Sequence, residues 1–250
     1  MTSARPRPAT TTTSAPAVAP PATRSGASRA DIHQSIYDAI VEHRLLPGTK
    51  LSEERVAELF AVSRTQVRGA LQRLAVEQLV TLIPNRGAFV TTPSAEEAHD
   101  VLSVRRTLEP AAVARLIERI AMGKAPTAVR QLRALVKREQ QAHARGERRQ
   151  AVRLSGDFHV LLAELSGSSI LARLMRELTP LTCLAILTFE APTAVACPND
   201  EHDLLIDAIE RGDAEGAARL MTEHLTHIEN ALNLDAQEAG EVDLAQVLFG

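Results

Sequence analysis

The sequence predicts a mostly α-helical protein with one short β-hairpin, organised as two folded units. Hydrophobic residues make up 45% of the 250-residue chain, but aromatic residues make up only 2% and Trp is absent. Cores built from Leu, Ile, Val and Ala suit packed helices better than sandwiches of sheets. Apolar residues recur at helical spacing through most of the chain, and the length is sufficient for two ordinary domains.

Composition marks the boundaries of these units. Residues 1–28 are rich in Ala, Pro and Thr, contain no acidic residue and show no apolar periodicity, so we expect a disordered tail. Residues 29–92 form the first predicted unit, and Pro93-Ser94 (93–94) forms the linker. The second predicted unit, all-helical, covers 95–234. The acidic segment 235–250 lacks a pattern that supports order.

Charge and cysteine usage limit the functional classes. The formal net charge is −3, yet basic residues outnumber acidic ones up to Thr92 and the reverse holds afterwards. This asymmetry indicates that the first unit meets a polyanion, although an imbalance of this size also arises by chance. Cys183 and Cys197 provide neither a disulfide framework nor a zinc finger, which suits a reducing cytoplasm. No apolar run approaches the roughly 20 residues that span a bilayer.

Three short helices are predicted at the start of the first unit. The first has an apolar stripe and ends before Leu46-Pro47-Gly48. Ser52 caps the second, and Ser63 caps the third. The residues expected to face inward are Ile32, Ile36, Ile40 and Val41 in the first helix, Val56, Leu59 and Phe60 in the second, and Val67, Ala70, Leu71 and Leu74 in the third.

A hairpin is predicted directly after the third helix. Residues 80–83 form one strand, 84–87 the turn and 88–92 the returning strand. Helix, turn, helix and hairpin together predict a winged helix-turn-helix, a fold that reads DNA.

The exposed side of the third helix carries the candidate DNA contacts. With the apolar stripe buried, Arg64, Thr65 and Arg68 point outward near the helix N-terminus, where arginine can donate two hydrogen bonds to guanine. Solvated surface is the commoner explanation of any one arginine, but the constellation favours DNA reading. The predicted DNA-binding residues are Ser63, Arg64, Thr65, Gln66 and Arg68, with Arg86 and Gly87 at the hairpin tip.

The motifs of this unit resemble a known family. They are Pro47-Gly48, Leu51-Ser52-Glu53, Val62-Ser63-Arg64-Thr65, Val67-Arg68, Ala70-Leu71, Arg73-Leu74 and Arg86-Gly87-Ala88-Phe89-Val90. Together they resemble the winged helix-turn-helix domain of the GntR family of bacterial transcription regulators, which implies DNA binding. Gln66, Gly69 and Gln78 stand where the family usually has Pro, Glu and Gly. A glycine within a helix costs about 1 kcal/mol relative to alanine, and the absence of an acid at position 69 is expected to leave Arg68 freer.

The second unit is predicted to be a bundle of six or seven helices. The periodic segments are 95–120, 127–144, 147–165 with an interruption at Gly156, 168–190 with a break at Pro180, 200–210 and 214–234. A helical bundle of this size has room for a central ligand pocket.

Three histidines in this bundle are candidate metal ligands. His159, His202 and His224 each fall on the apolar face of a predicted helix. A single inward histidine is usually a hydrogen-bonded core residue. Three imidazoles on three helices of one bundle instead indicate a site for Zn²⁺ or a similar divalent metal.

The bundle motifs also carry a resemblance. They are Phe158-His159, Glu201-His202, Ala208-Ile209, Gly212-Asp213, Leu220-Met221 and His224-Leu225. They resemble the helical effector-binding and dimerisation domain, of the FCD type, in the FadR-like branch of GntR regulators. The resemblance implies a metal held by three histidines and by an acid four residues before the first of them.

The position of that acid is Ser155 in this chain. Asp157 lies about 200° round the helix from His159, so it should not reach the same metal. Two alternatives stay open, a three-histidine site completed by water or ligand and a metal-free pocket lined by neutral histidines.

Arg105 and Glu109 are the first and last residues of an R-x-x-L-E stretch, which matches a signature of the same branch. If Arg105 faces the pocket, it could hold a ligand carboxylate in a bidentate pair. The alternative is a surface salt bridge to Glu109, four residues along the helix.

The function predicted from the sequence is a ligand-responsive transcription regulator, with repression as the favoured mode. A homodimer would present two reading helices to a palindromic operator. The predicted effector is a small carboxylate, and the predicted effector-binding residues are Arg105, Ser155, His159, His202 and His224. A metal sensor is one alternative. A metal-dependent enzyme is less favoured because no general base stands beside the histidines, and no catalytic residue is predicted.

Overall fold

The computed structural model describes residues 28–189 and 200–234, and these are mostly helical with one small sheet, as the sequence predicts. The first unit, called the head below, contains α1 (Arg29–Val41), β1 (Lys50–Leu51), α2 (Glu53–Phe60), α3 (Arg64–Val76), β2 (Val80–Ile83) and β3 (Gly87–Val90). The sheet is antiparallel in the order β1-β3-β2, with Lys50 opposite Phe89 and Val80 opposite Val90. The short strand β1 was not predicted.

Serine caps start the helices of the head. The side chain of Ser28 accepts a hydrogen bond from the Asp31 backbone, and Ser52 and Ser63 cap α2 and α3 in the same way. All four inward residues predicted for α3 are buried. The prediction for α2 was partly wrong, because Leu59 is 48% exposed and Ala57 is the buried residue. An eight-residue helix on the surface buries only a narrow stripe.

The conformation of the hairpin turn accounts for the residues at positions 84–87. The Arg86 amide donates to the Ile83 carbonyl at 3.0 Å, and Asn85 has a φ of 62°. Pro84 before a left-handed Asn85 is the pattern of a type II turn. Gly87 follows with a φ of 103°, a conformation that glycine adopts readily.

The second unit, called the bundle below, contains α4 (Ala95–Ala121), α5 (Ala128–Ala144), α6 (Arg148–Leu165), α7 (Ser169–Phe189), α8 (Glu201–Arg211) and α9 (Ala214–Ala231). Helix α4 packs along α9 and α7, and α6 packs against α5 and α7. Within the described ranges, no helix is long and apolar enough to cross a membrane.

Two predicted interruptions are absent. Helix α6 continues through Gly156, and α7 continues through Pro180. A Cβ at position 156 would lie 2.9 Å from the Thr179 methyl group and 3.4 Å from Cys183 Sγ, so glycine allows α7 to approach closely. Pro180 is buried, and tertiary packing keeps its helix formed despite the lost amide donor.

The head and the bundle meet along α1, α6 and α7. Leu184 of α7 belongs to the apolar core of the head, whereas Ala185 and Ile186 belong to that of the bundle. Arg153 of α6 forms an ion pair with Glu42 and lies 3.7 Å from Asp38. The predicted tails lie outside the described residues except for Ser28, as does Cys197.

Candidate nucleic-acid interface and candidate metal centre

The N-terminus of α3 is an ordered cap that presents three exposed side chains. Ser63 Oγ accepts from the Gln66 amide, while Gln66 Oε1 accepts from the Ser63 amide at 3.2 Å. This reciprocal capping box engages both predicted contact residues in holding the helix end. Arg64, Thr65 and Arg68 are exposed.

Acids from α2 hold the two arginines of α3. Arg68 Nε and Nη2 donate to the two carboxylate oxygens of Glu53 at 3.0 and 2.9 Å, and Arg64 pairs with Glu54. The hydrogen bond from Arg68 lowers the pKa of Glu53. Exposed pairs of this kind are weak, so a phosphate or a base edge can replace the carboxylates.

The expectation attached to Gly69 was wrong. The missing acid at this position does not leave Arg68 unpaired, because Glu53 binds it. Gly69 instead leaves room for the side chain of Arg29, whose Nε would lie 2.7 Å from a Cβ at position 69.

The hairpin tip provides one further cation. Arg86 is exposed and forms no ion pair within the described part of the chain. Beside it, Gly87 has no side chain to hold the backbone away from a ligand.

The three predicted histidines converge in the bundle. His159 on α6, His202 on α8 and His224 on α9 are buried, and they offer one nitrogen each, all within 4.8 Å of one another. His159 Nε2 lies 3.2 Å from His224 Nε2. Phe158 stacks on the His202 ring with the centroids 4.1 Å apart.

A glutamate contacts each imidazole at Nδ1 and orients the ring. His159 Nδ1 contacts Glu109 at 2.5 Å, His202 Nδ1 contacts Glu139 at 2.9 Å and His224 Nδ1 contacts Glu201 at 2.7 Å. A carboxylate fixes the proton on Nδ1, which turns the Nε2 lone pair towards the middle of the cluster. The exposed His227 also binds Glu201.

This arrangement fits a divalent cation. Nε2 lone pairs of His159 and His224 at 3.2 Å repel each other unless a cation or a proton lies between them, and His202 Nε2 is buried without a partner. Zn–N distances of about 2.0–2.1 Å place tetrahedral ligand atoms about 3.4 Å apart. The three glutamates and Arg105 leave a formal charge of two negative units with neutral imidazoles, which a divalent ion balances.

Burial keeps two of the imidazoles neutral and therefore able to bind metal. It lowers the pKa of His159 to about 4 and that of His224 to about 3, against the opposing attraction of Glu109 and Glu201. Burial alone would raise the pKa of Glu109, but Arg105 and His159 outweigh it and lower that pKa to about 2.

The remaining predicted effector residues are Ser155 and Arg105. Ser155 is half-buried one turn before His159. Arg105 is buried, donates from Nε to Glu109 at 2.7 Å and from Nη1 to Thr182 at 2.9 Å, and has no partner for Nη2. Arg105 and Glu109 therefore form the pair expected from their spacing, in the interior and not on the surface.

The sequence interpretation missed the orienting roles of the glutamates. Glu139 lies within the apolar stripe of α5, among Leu132, Leu135, Val136 and Ala142, and all five residues are buried. An acid inside an apolar stripe was the signal that could have revealed it, because a buried carboxylate requires a partner.

Family models match both units. The model of the bacterial regulatory proteins of the gntR family matches residues 28–90, and the FCD domain model matches residues 100–227. These matches cover the reading helix and all three histidines.

Known proteins match over most of the chain. The HTH-type transcriptional repressor RspR of Escherichia coli K12 is 26% identical over 212 residues, which are 83% of this chain and 91% of RspR. The HTH-type transcriptional regulator LutR of Bacillus subtilis is 28% identical over 207 residues, 76% of this chain and 94% of LutR.

Solved structures share the fold. The crystal structure of a GntR transcriptional regulator from Rhodococcus sp. RHA1 superposes with a TM-score of 0.69 at 24% identity, covering 81% of this chain and 95% of that one. E. coli McbR/YncC superposes with a TM-score of 0.68 at 21% identity, covering 79% and 93%. The chain belongs to the GntR family of transcription regulators, with a DNA-binding winged helix-turn-helix followed by an FCD domain.

Proposed function

We propose that the protein is a metal-dependent sensor of a small carboxylate that controls transcription by binding DNA as a homodimer, and that it is not an enzyme. The observation that carries this proposal is the set of three buried Nε2 atoms, each oriented by a glutamate on the opposite side of its ring. His159, His202 and His224 would hold a divalent ion such as Zn²⁺. The ion would supply Lewis acidity for binding an anionic oxygen.

The ligand count leaves a position that a carboxylate could occupy. Three protein ligands leave an open coordination position, and Ser155 supplies no charged oxygen there. The glutamates of the cluster already bind imidazole hydrogens, so the oxygen ligand would come from water or from an external carboxylate that displaces it. Arg105 reaches the cluster through Glu109, on the Nδ1 side of His159, and its Nη2 is buried without a hydrogen-bond partner.

On the DNA side, Arg64, Thr65 and Arg68 would read base edges, while Ser63 and Gln66 hold the helix end. Arg86 and Gly87 would contact the backbone or the neighbouring groove. In this arrangement Glu53 and Glu54 compete with DNA for the two arginines, so binding requires an exchange of partners. Two heads related by a twofold axis would read a palindromic site. The similarity to RspR, which is described as a repressor, supports repression.

The test measures DNA affinity with and without the metal and the carboxylate. A duplex selected from a random pool by the full-length, zinc-treated protein serves as the probe, and fluorescence anisotropy gives its Kd with chelator, with Zn²⁺, and with Zn²⁺ plus acetate, lactate or citrate. We expect at least one carboxylate to change the Kd by roughly 5- to 150-fold, the usual range of allosteric coupling, and only when Zn²⁺ is present.

A variant of the DNA-binding residues and the alternative outcomes distinguish the possible functions. R64A/R68A should lose the selected duplex and keep the helical circular dichroism signal. A response to Zn²⁺ alone, unaffected by any carboxylate, would identify a metal sensor. Consumption of the carboxylate by the protein would identify an enzyme. Equal Kd values under all three conditions would contradict the proposal.

A further inference from the structure

A buried chain of hydrogen bonds runs from the histidine cluster towards the head. His159 Nδ1 contacts one oxygen of Glu109 at 2.5 Å, and Arg105 Nε donates to the other oxygen at 2.7 Å. Arg105 Nη1 then donates to Thr182 Oγ1 at 2.9 Å. The chain thus crosses from α6 through α4 to α7.

The ion pair in the middle of this hydrogen-bonded series is difficult to separate. The side chains of Arg105 and Glu109 are 2% and 1% exposed, and separating a buried ion pair leaves an uncompensated charge in the interior. The surrounding core is close-packed and transmits displacement. A shift of the His159 ring would therefore displace Glu109 and Arg105, and Thr182 is the next residue in the connection.

Thr182 stands at the point where α7 joins the two cores. Its hydroxyl accepts from Arg105 and donates to the Leu178 carbonyl at 3.3 Å. Two residues later, Leu184 is 1% exposed and belongs to the apolar core of the head, against which Leu181 also packs. One turn of α7 therefore touches both the chain from the metal ligands and the packing beneath the reading helix.

We infer that Thr182 is the positioning residue through which the state of the histidine cluster acts on the DNA-binding head. The inference rests on the metal centre proposed above. When metal and effector occupy the cluster, His159 is held at Nε2, and the connection through Glu109 and Arg105 sets the position of α7 against the core of the head. The second connection, from Arg153 of α6 to Glu42, is partly exposed and transmits less because solvent screens it.

Hydrogen–deuterium exchange at α1 of the head, in the full-length protein, tests this connection. Zn²⁺ alone is the probe, and isothermal titration calorimetry measures its binding to the same samples. In the wild type we expect Zn²⁺ to change the exchange rate of α1 amides by at least about threefold, a modest shift on the scale of local opening equilibria. T182V should bind Zn²⁺ within about threefold of the wild-type affinity and lose the α1 response.

Two variants separate this role from a structural one. T182S keeps the hydroxyl and should restore the response. T179V changes a buried threonine one turn earlier whose hydroxyl has no partner, and it should respond as the wild type does. A full response in T182V would overturn the inference, and so would a wild type that binds Zn²⁺ without any change at α1.

The inference can be tested even if Zn²⁺ does not bind. In that case the metal centre proposed above fails, and E109Q, which weakens the connection at its second step, replaces Zn²⁺ as the perturbation. E109Q should change the α1 exchange of the wild type but not that of T182V. Equal changes in both backgrounds, or no change in either, would overturn the inference.

Discussion

Two arginine–glutamate pairs show how the head and the bundle differ. Arg68 and Glu53 form a pair on the head whose side chains are 63% and 29% exposed, whereas Arg105 and Glu109 in the bundle are 2% and 1% exposed. The exposed pair is solvated and can exchange its carboxylate for a phosphate or a base. The buried pair has no such freedom, because breaking it leaves a charge without solvent. The same two residue types therefore suit binding in one region and fixed connection in the other.

The largest expected effect comes from breaking the buried pair. R105M should lower the free energy of unfolding by about 3–5 kcal/mol, since it leaves Glu109 buried without its cation. R68M should change unfolding little and should weaken DNA binding. Urea unfolding followed by circular dichroism, with chelator present, measures the first effect. If the unfolding curves of R105M and R68M coincide, the two ion pairs do not differ in the way described here.

A buried histidine at the boundary between the regions predicts a pH dependence. Burial and the positive charge of Arg149 lower the pKa of His43 to about 4, against the opposing effect of a hydrogen bond to the Cys183 backbone. The pKa of His43 in the folded protein lies below the unfolded value of about 6.5. The free energy of unfolding is therefore unaffected by His43 titration above pH 6.5, and it decreases as the pH falls from 6.5 to 4, by at most about 3 kcal/mol.

H43N tests this dependence. Asparagine tolerates the φ of 57° found at this position better than most residues do, and it does not titrate. The unfolding free energy of H43N should fall less steeply than that of the wild type between pH 6.5 and 4. Parallel profiles would show that His43 contributes nothing to acid sensitivity.

The orienting glutamates predict a smaller effect, on metal affinity. E139Q keeps an oxygen near His202 Nδ1 but removes the charge, and loss of such a partner typically weakens metal binding about 10- to 100-fold. Zinc titration against a competing chelator measures the change. E164Q, on the exposed side of α6, serves as the control and should bind as the wild type does. Equal affinity in E139Q would mean that Glu139 does not support a ligand.

The smallest effects compare two glycines within helices. A Cβ at Gly69 would meet the flexible end of Arg29, whereas a Cβ at Gly156 would meet the packed methyl group of Thr179 at 2.9 Å. G69A should therefore raise the free energy of unfolding by less than about 1 kcal/mol, and G156A should lower it by about 1 kcal/mol or more. Thermal unfolding of both variants measures the difference. Shifts of the same sign would contradict this account of the two sites.

Periodicity in the sequence predicted the helices well because most of them bury one regular apolar stripe. It also identified the inward direction of His159, His202 and His224. The continuity of α7 through Pro180 could not be predicted, since a local rule for proline does not include the packing around it. Strand β1 was missed because Lys50 and Leu51 are too few to show alternation.

The partners of the site were harder to predict than its members. The contact between Arg68 and Glu53 joins two helices, and that between Glu139 and His202 joins residues 63 positions apart. A single sequence contains no record of such distances. Acids within apolar stripes were the available sign, and they indicate that a partner exists without naming it.

The metal content of the purified protein shows whether the three histidines form a metal centre. Wild-type protein and H202A/H224A are dialysed with Zn²⁺, freed of unbound metal, and examined by elemental analysis and native mass spectrometry. We expect one metal ion per wild-type chain, in a dimer, and none in the variant. A variant that retains its full metal content, or a wild type that binds none, would rule out a metal centre at these histidines.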